Sequence, residues 1–218
     1  MLGLFDSGRG GLNTVGYLRE SGDDLDLVYL IDTENAPYGT KSEKEIVDIT
    51  KSNIKALTGM GAERVLIACC TASTVHRLLP DEYKAVSIPI IDAVAGEAKR
   101  LTRSGRVGVI ATEHTVRSGS FSRALAGLSV SELPLSSLVE RIDNGLSDAS
   151  VTDSDIRWLE ELITPVLSAN VDTLVLGCTH FPALAHTIGE IANRYGNIRL
   201  VDSARVGADA LRKYKYGK

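Results

Sequence analysis

Cysteine is scarce and odd in number, with three in 218 residues. A small odd count argues against a secreted disulfide framework. It leaves thiols that are either buried and inert or kept reduced for chemistry. Long apolar runs are also missing: none approaches the roughly 18 residues needed to span a bilayer, so no membrane partner is expected. The opening MLGLFDSGRG meets a charge and a turn too soon for a signal peptide, which makes a cytoplasmic location the expectation. Nor is there an excess of positive charge. With 24 Lys and Arg against 28 Asp and Glu, the formal charge of -4 offers no electrostatic surface for nucleic acid.

What is present is ordinary globular composition, 44% hydrophobic and 24% charged, enough for one large domain or two small ones. Seven short apolar segments read as strands: LGLF, LDLVYLID, RVLIA, VSIPIID, RVGVIA, TLVLG and IRLVD. They are nearly continuous in apolar residues rather than alternating, as strands covered on both faces tend to be. Helical patterns lie between them. Ser42 and Glu45 form a capping-box pattern. Ile46, Ile49, Ile54 and Leu57 then share one face before a stop at Gly59. A similar stripe runs through Ile156, Leu159, Ile163, Val166 and Leu167. Alternating strand and helix with short links predicts a parallel α/β architecture.

The chain also looks doubled. VLIACCTAST and LVLGCTHFPAL share one plan: strand, small residue, Cys, Thr, then helix. Two similar α/β lobes, each a mainly parallel sheet flanked by helices, with a site in the cleft between them, fit that plan. The expected division is 1–92 plus 200–218 for the first lobe and 93–199 for the second.

Ligands of open parallel sheets bind beyond the carboxyl ends of the strands. Asp6-Ser7-Gly8, Cys69-Cys70-Thr71 and Cys178-Thr179-His180 all fall there, and NAPYGTKS follows the second strand. A thiol at the start of a helix meets unpaired N–H groups that favour a thiolate. His180 and Asp6 are placed to hold or move a proton beside such thiols. One thiol from each lobe suits inversion of a stereocentre, which needs a base on one face of a carbon and an acid on the other. Hydroxyls of Ser7, Thr71 and Thr179 would hold the carboxylate and ammonium. Strand alternation argues that Cys69 and Cys70 do not both aim at one spot. Matching Ala68-Cys69 to Gly177-Cys178 selects Cys69, whereas matching Thr71 to Thr179 selects Cys70; Cys69 is preferred. Adjacent cysteines are poor chelating spacing, so no metal is assigned. DSGRGG lacks the spacing of a phosphate loop, and no cofactor is assigned. His76, His114 and His186 show no partner pattern and read as surface or satisfied residues.

Five segments in register resemble the cofactor-independent glutamate racemases of the aspartate/glutamate racemase superfamily. They are LFDSGRGGLNTV, APYGTKS, ACCTAST, VGVIATEHTVRSGSF and TLVLGCTHFPAL, with LVDSA as a closing match. The likeness covers nearly the whole chain. It implies a two-base amino-acid racemase converting L-glutamate to D-glutamate, a supply for peptidoglycan. By the same resemblance Cys69 and Cys178 are the acid/base pair, assisted by Asp6 and His180, which also contact substrate. Ser7, Thr71 and Thr179 bind the head group, Pro37, Tyr38 and Gly39 receive the side-chain carboxylate, and Thr112 and Thr115 lie in the matched hinge-side loop. The chain departs from the family's pattern at Cys70 in place of Asn, at Ala111 in place of Gly and at Phe121 in place of Tyr. ELPLSSLVE also lacks the usual Cys-Pro. Cys70 keeps two alternatives open: a racemase or isomerase acting on aspartate or another amino acid, and a non-catalytic amino-acid-binding homologue. The expected partner is a small amino acid, and a homodimer is compatible with the sequence.

Overall fold

A computed structural model of the chain describes residues 1–22 and 25–217. Strands β1 (Leu2–Asp6), β2 (Leu27–Ile31), β3 (Arg64–Ile67) and β4 (Ser87–Pro89) form one parallel sheet in the order β2-β1-β3-β4. Strands β5 (Arg106–Ala111), β6 (Ser129–Pro134), β7 (Thr173–Gly177) and β8 (Arg199–Asp202) form a second in the order β6-β5-β7-β8. The two orders are the same, so the doubling seen in the sequence is a doubling of topology. Helices of the first half are α1 (Gly11–Glu20), α2 (Glu43–Gly59), α3 (Cys70–Ser73), α4 (Asp81–Val86) and α5 (Ile90–Leu101). Those of the second are α6 (Glu113–Arg117), α7 (Ser120–Ala124), α8 (Ser136–Asp143), α9 (Asp153–Leu167), α10 (Ala185–Arg194) and α11 (Ser203–Tyr216).

Successive strand residues face opposite ways, and both faces of each sheet are covered. In the first sheet Phe5, Val65 and Ile67 pack outward against Ile54 and Leu57 of α2. Leu2, Leu4 and Leu66 pack inward. In the second sheet Ile110, Leu174 and Leu176 face Leu159, Ile163 and Ile188 of α9 and α10, while Val107, Val109, Val175 and Val201 face inward. The two inward faces share one core with Leu18 of α1, Val94 and Ala98 of α5, and Ala208 and Leu211 of α11. The molecule is thus five layers, with α1, α5 and α11 between the sheets.

Side-chain caps fix where the helices start. Ser42 accepts from the Glu45 amide at 3.3 Å while Glu45 accepts from the Ser42 amide at 2.8 Å, the capping box expected for α2. Thr152 and Asp155 make a second such box at α9. Helix α2 runs through Gly59, and the chain reverses at Gly61, whose φ of 98° suits glycine.

Three expectations need correction. An eighth strand, β6, was not anticipated: SVSELP lies at a sheet edge, is partly exposed, and shows no continuous apolar run. VSIPIID is only half strand, since Ile90–Asp92 already begin α5. The division at 92/93 therefore falls inside α5. Residues from 200 do not all return to the first lobe, because β8 pairs with β7 in the second sheet and only α11 packs back on α1 and α5. No described helix is long and apolar enough to cross a membrane.

Candidate active site

In each sheet the chain runs from its first strand to one neighbour and then crosses to the other side. The crevice at that reversal, beyond the carboxyl ends, is where ligands bind in such sheets. Ser7 follows β1 and Cys69 follows β3; Thr112 follows β5 and Cys178 follows β7. The two crevices meet in one cavity of about 330 Å³, a size suited to a small molecule. Cys69, Cys70 and Thr71 line it from the first lobe, with Ser7 and the Pro37-Tyr38-Gly39 segment. Cys178, Thr179 and His180 line it from the second. Thr112 joins them, whereas Thr115 is fully buried behind.

Cys69 and Cys70 both reach this cavity, against the expectation from strand alternation. The reason is that β3 ends at Ile67: Cys69 caps α3 and Cys70 is its first residue, so the pleat no longer sets direction. Alternation survives only in packing: Cys69 rests on the outer core and Cys70 on the central one.

All three thiols are free and buried. The Cys69 sulfur lies 3.4 Å from the Ser7 hydroxyl. Burial pushes its pKa up to about 11, and the Asp6 charge adds to the rise, while Ser7 and the Ala72 amide oppose it. Burial also raises Cys178, whose sulfur lies 3.7 Å from His180 Nδ1; the His180 amide opposes the rise, and the charges of Cys69, Asp6 and Asp143 add to it. Cys70 is raised by burial and then by the other two thiols. Burial thus disfavours the thiolate form at all three sulfurs.

Asp6 is not among the residues that line the cavity. It is fully buried, with Oδ1 accepting from the Gly8 amide at 3.0 Å and Oδ2 unpartnered among the described residues. Burial raises it from 3.8 to about 6, against the pull of His180, the Gly8 amide and the hydroxyls of Thr179 and Ser7. It lies behind the lining residues.

Tyr38 is nearly inaccessible and its hydroxyl donates to Asp32 at 2.6 Å. Asn53 of α2 donates to both Asp32, at 3.0 Å, and Tyr38, at 2.9 Å. The ring thus anchors the Pro37–Thr40 segment and is not a free donor. Asp32 and Asn53 went unnoticed in the sequence because nothing in their spacing marks them. Asp143, at the end of α8, approaches His180 Nε2 at 3.2 Å and was missed for the same reason.

The lobes also touch beside the site. Thr71 lies 3.3 Å from Thr112 and 3.5 Å from Thr115, linking the lobes through hydroxyls. Asn13 donates to the Thr179 carbonyl at 2.8 Å. A Cβ on Gly10 would come within 2.3 Å of Thr179 Oγ1, so the DSGRGG glycine is there for close approach. His76 is satisfied by Ser87 at 3.1 Å and His186 is exposed near Glu190. His114 departs from its sequence assignment as a surface or satisfied residue: it lines the cavity. Among the described residues, no group of three or more His, Cys, Asp or Glu side chains is arranged to hold a metal ion.

Comparison with known proteins matches this arrangement to a family. The sequence profile described as Asp/Glu/hydantoin racemase matches residues 14–211. The glutamate racemase of Desulforudis audaxviator is 36% identical over 216 residues, covering 97% of this chain and 77% of that protein. That of Ralstonia pickettii is 38% identical over 215 residues, covering 95% and 73%. Among solved structures, glutamate racemase isoform RacE1 from Bacillus anthracis superposes with a TM-score of 0.86 at 26% identity, over 98% of this chain and 80% of that one. The Francisella tularensis glutamate racemase in complex with D-glutamate superposes with a TM-score of 0.83 at 26% identity, over 99% and 81%. The chain belongs to the Asp/Glu/hydantoin racemase family.

Proposed function

We propose that the protein is a glutamate racemase in which Cys69 and Cys178 act as the two bases. The observation that carries the reading is one thiol from each sheet on a single small cavity. One sulfur, as thiolate, takes the α-proton from one face of the carbon while the opposite thiol delivers a proton to the other. The exchange leaves the first as thiol and the second as thiolate, set for the reverse direction. The raised thiols fit this scheme: a substrate ammonium beside them favours the thiolate form. Ser7, Thr71 and Thr179 offer hydroxyls to the head group. His180 sits beside the Cys178 sulfur and is backed by Asp143. A second reading, the same chemistry on a different amino acid, rests on the Cys70 thiol in the cavity wall.

The test is incubation of the purified protein with each enantiomer of glutamate in deuterated water. The circular-dichroism signal of either enantiomer should decay to zero, with deuterium at Cα of the product. Cys69→Ala and Cys178→Ala should each lower the inversion rate by at least about a thousandfold. Full inversion by either variant would remove the two-base assignment. Turnover of aspartate or a neutral amino acid, with none of glutamate, would replace the substrate.

A further inference from the structure

The thiol of the second lobe leans on a residue of the first. Cys178, Thr179 and His180 follow β7 and lead into a short turn of 3₁₀ helix, Phe181–Leu184, whose hydrogen bonds run from each amide to the carbonyl three residues before it. The Phe181 amide donates to the Cys178 carbonyl at 3.1 Å, and the Ala183 amide to the His180 carbonyl at 3.0 Å. The bond between these two is missing, because the residue three past Thr179 is Pro182, which has no N–H. Thr179 is buried, and a buried carbonyl needs a donor. Asn13 of α1 supplies it from the other lobe, with Nδ2 at 2.8 Å.

The Thr179 carbonyl and the His180 N–H belong to one planar trans peptide, so they point opposite ways. The N–H end meets the Cys178 sulfur: burial raises that thiol, and the His180 amide is the main group opposing the rise. Asn13, the peptide and the sulfur thus form one hydrogen-bonded line across the lobes. A donor on the carbonyl polarises the peptide and strengthens its N–H. Asn13 is itself fixed. Its amide donates to the Gly10 carbonyl at 3.1 Å, and the turn before it is held by the Tyr29 hydroxyl, which donates to the Gly8 carbonyl at 2.8 Å. A Cβ on Gly10 would come within 2.9 Å of the Thr179 carbonyl carbon, so the two turns are in direct contact. Cys69 is served differently. Burial raises it too, but Ser7 and the Ala72 amide, which oppose the rise, both lie in its own lobe.

We infer that Asn13 is a positioning residue: it holds the Thr179–His180 peptide so that its N–H stabilises the Cys178 thiolate. The inference rests on the racemase reading for the use made of that thiolate, not for its formation. Its test is the initial rate of alkylation by iodoacetamide at each cysteine, resolved by peptide mass spectrometry, since that rate follows the thiolate fraction. Asn13→Ala removes the donor, and Asn13→Asp sets an acceptor of the same shape against the carbonyl. Each should slow alkylation of Cys178 about tenfold and leave Cys69 within about twofold. In turnover both variants should lower kcat/KM about tenfold in both directions alike, because the two enantiomers are equal in energy. The substrate deuterium isotope effect should rise only in the direction in which Cys178 takes the α-proton. A Cys178 alkylation rate within about threefold of wild type in both variants overturns the inference. So does an equal fall at Cys69, or faster alkylation of either thiol, the mark of a cleft merely loosened. Should the wild type invert neither enantiomer of glutamate, the racemase reading fails, and the alkylation rates alone decide the inference.

Discussion

Asp6 shows how one buried side chain links the site to stability. Its carboxyl is held at about 6 against an ordinary 3.8, chiefly by burial. The folded protein thus binds this proton more tightly than the unfolded chain does. Stability from this group is fully present below about pH 4, and declines as pH rises through 4 to 6. It remains lower above that by about 3 kcal/mol. Asp6→Asn removes the titration. Its melting temperature relative to wild type should climb as pH goes from 4.5 to 8, measured by thermal denaturation in matched buffers. A difference that stays flat across that range would show that Asp6 is not the group responsible. Racemisation should fall in the same variant, since the charge behind Ser7 and Thr179 is lost. The thiols and their hydroxyl neighbours were readable because each follows an apolar strand with a small residue before it. Asp6 is legible in the sequence as a carboxylate at a strand end but not as a hidden one, because its burial depends on how Gly8 and Thr179 close over it. His114 was misread because a lone histidine in a short helix carries no spacing signal, and only the approach of the other lobe makes it part of a cavity.

At the level of elements, the loop carrying Pro37, Tyr38 and Gly39 is held from beneath by α2. Burial works against a charge on Asp32, yet hydrogen bonds from Tyr38, Asn53 and Asn35 keep its carboxyl below the ordinary value. Asn53→Ala leaves Asp32 and the Tyr38 hydroxyl short of a partner and should cost about 1–3 kcal/mol. It should also raise KM, because the anchored turn forms part of the cavity wall. Thr152→Ala, at the cap of α9, should cost about 1 kcal/mol and leave KM unchanged. Urea denaturation midpoints with unchanged slopes, set beside steady-state kinetics, separate the two. A KM shift in Thr152→Ala equal to that in Asn53→Ala would mean that general loosening moves KM. The α2 cap was legible because Ser-x-x-Glu is a local signal. The placement of β8 was not, because IRLVD would suit either sheet and only its pairing with β7 decides. Edge strand β6 escaped for want of apolar character, since one side of it has no neighbouring strand to satisfy.

For the whole molecule, the duplicated topology suggests two units, but the packing joins them. The inward faces of both sheets bury their residues in one core with α1, α5 and α11, and α11 returns from the end of the second sheet to lie on α1. Tyr17 of α1 donates to Asp202, at the cap of α11, at 2.8 Å, adding a polar tie across the same layer. Neither sheet has a complete inner cover without helices contributed from both halves of the chain, so neither half should hold its structure once the other is lost. The sequence holds a single tryptophan, Trp158, on α9 against the outer face of the second sheet. Its fluorescence reports that half alone, whereas far-ultraviolet circular dichroism reports both. The two signals should trace one coincident transition in urea. Leu211→Ala, in the fully buried centre of α11, should lower that transition by about 2–5 kcal/mol and move both probes together, although Trp158 lies in a different core cluster. If circular dichroism instead lost part of its amplitude while Trp158 fluorescence stayed native, the halves would be independent units. The cavity between their strand ends would then be a flexible junction, and the two thiols could not be held across one carbon by the fold alone.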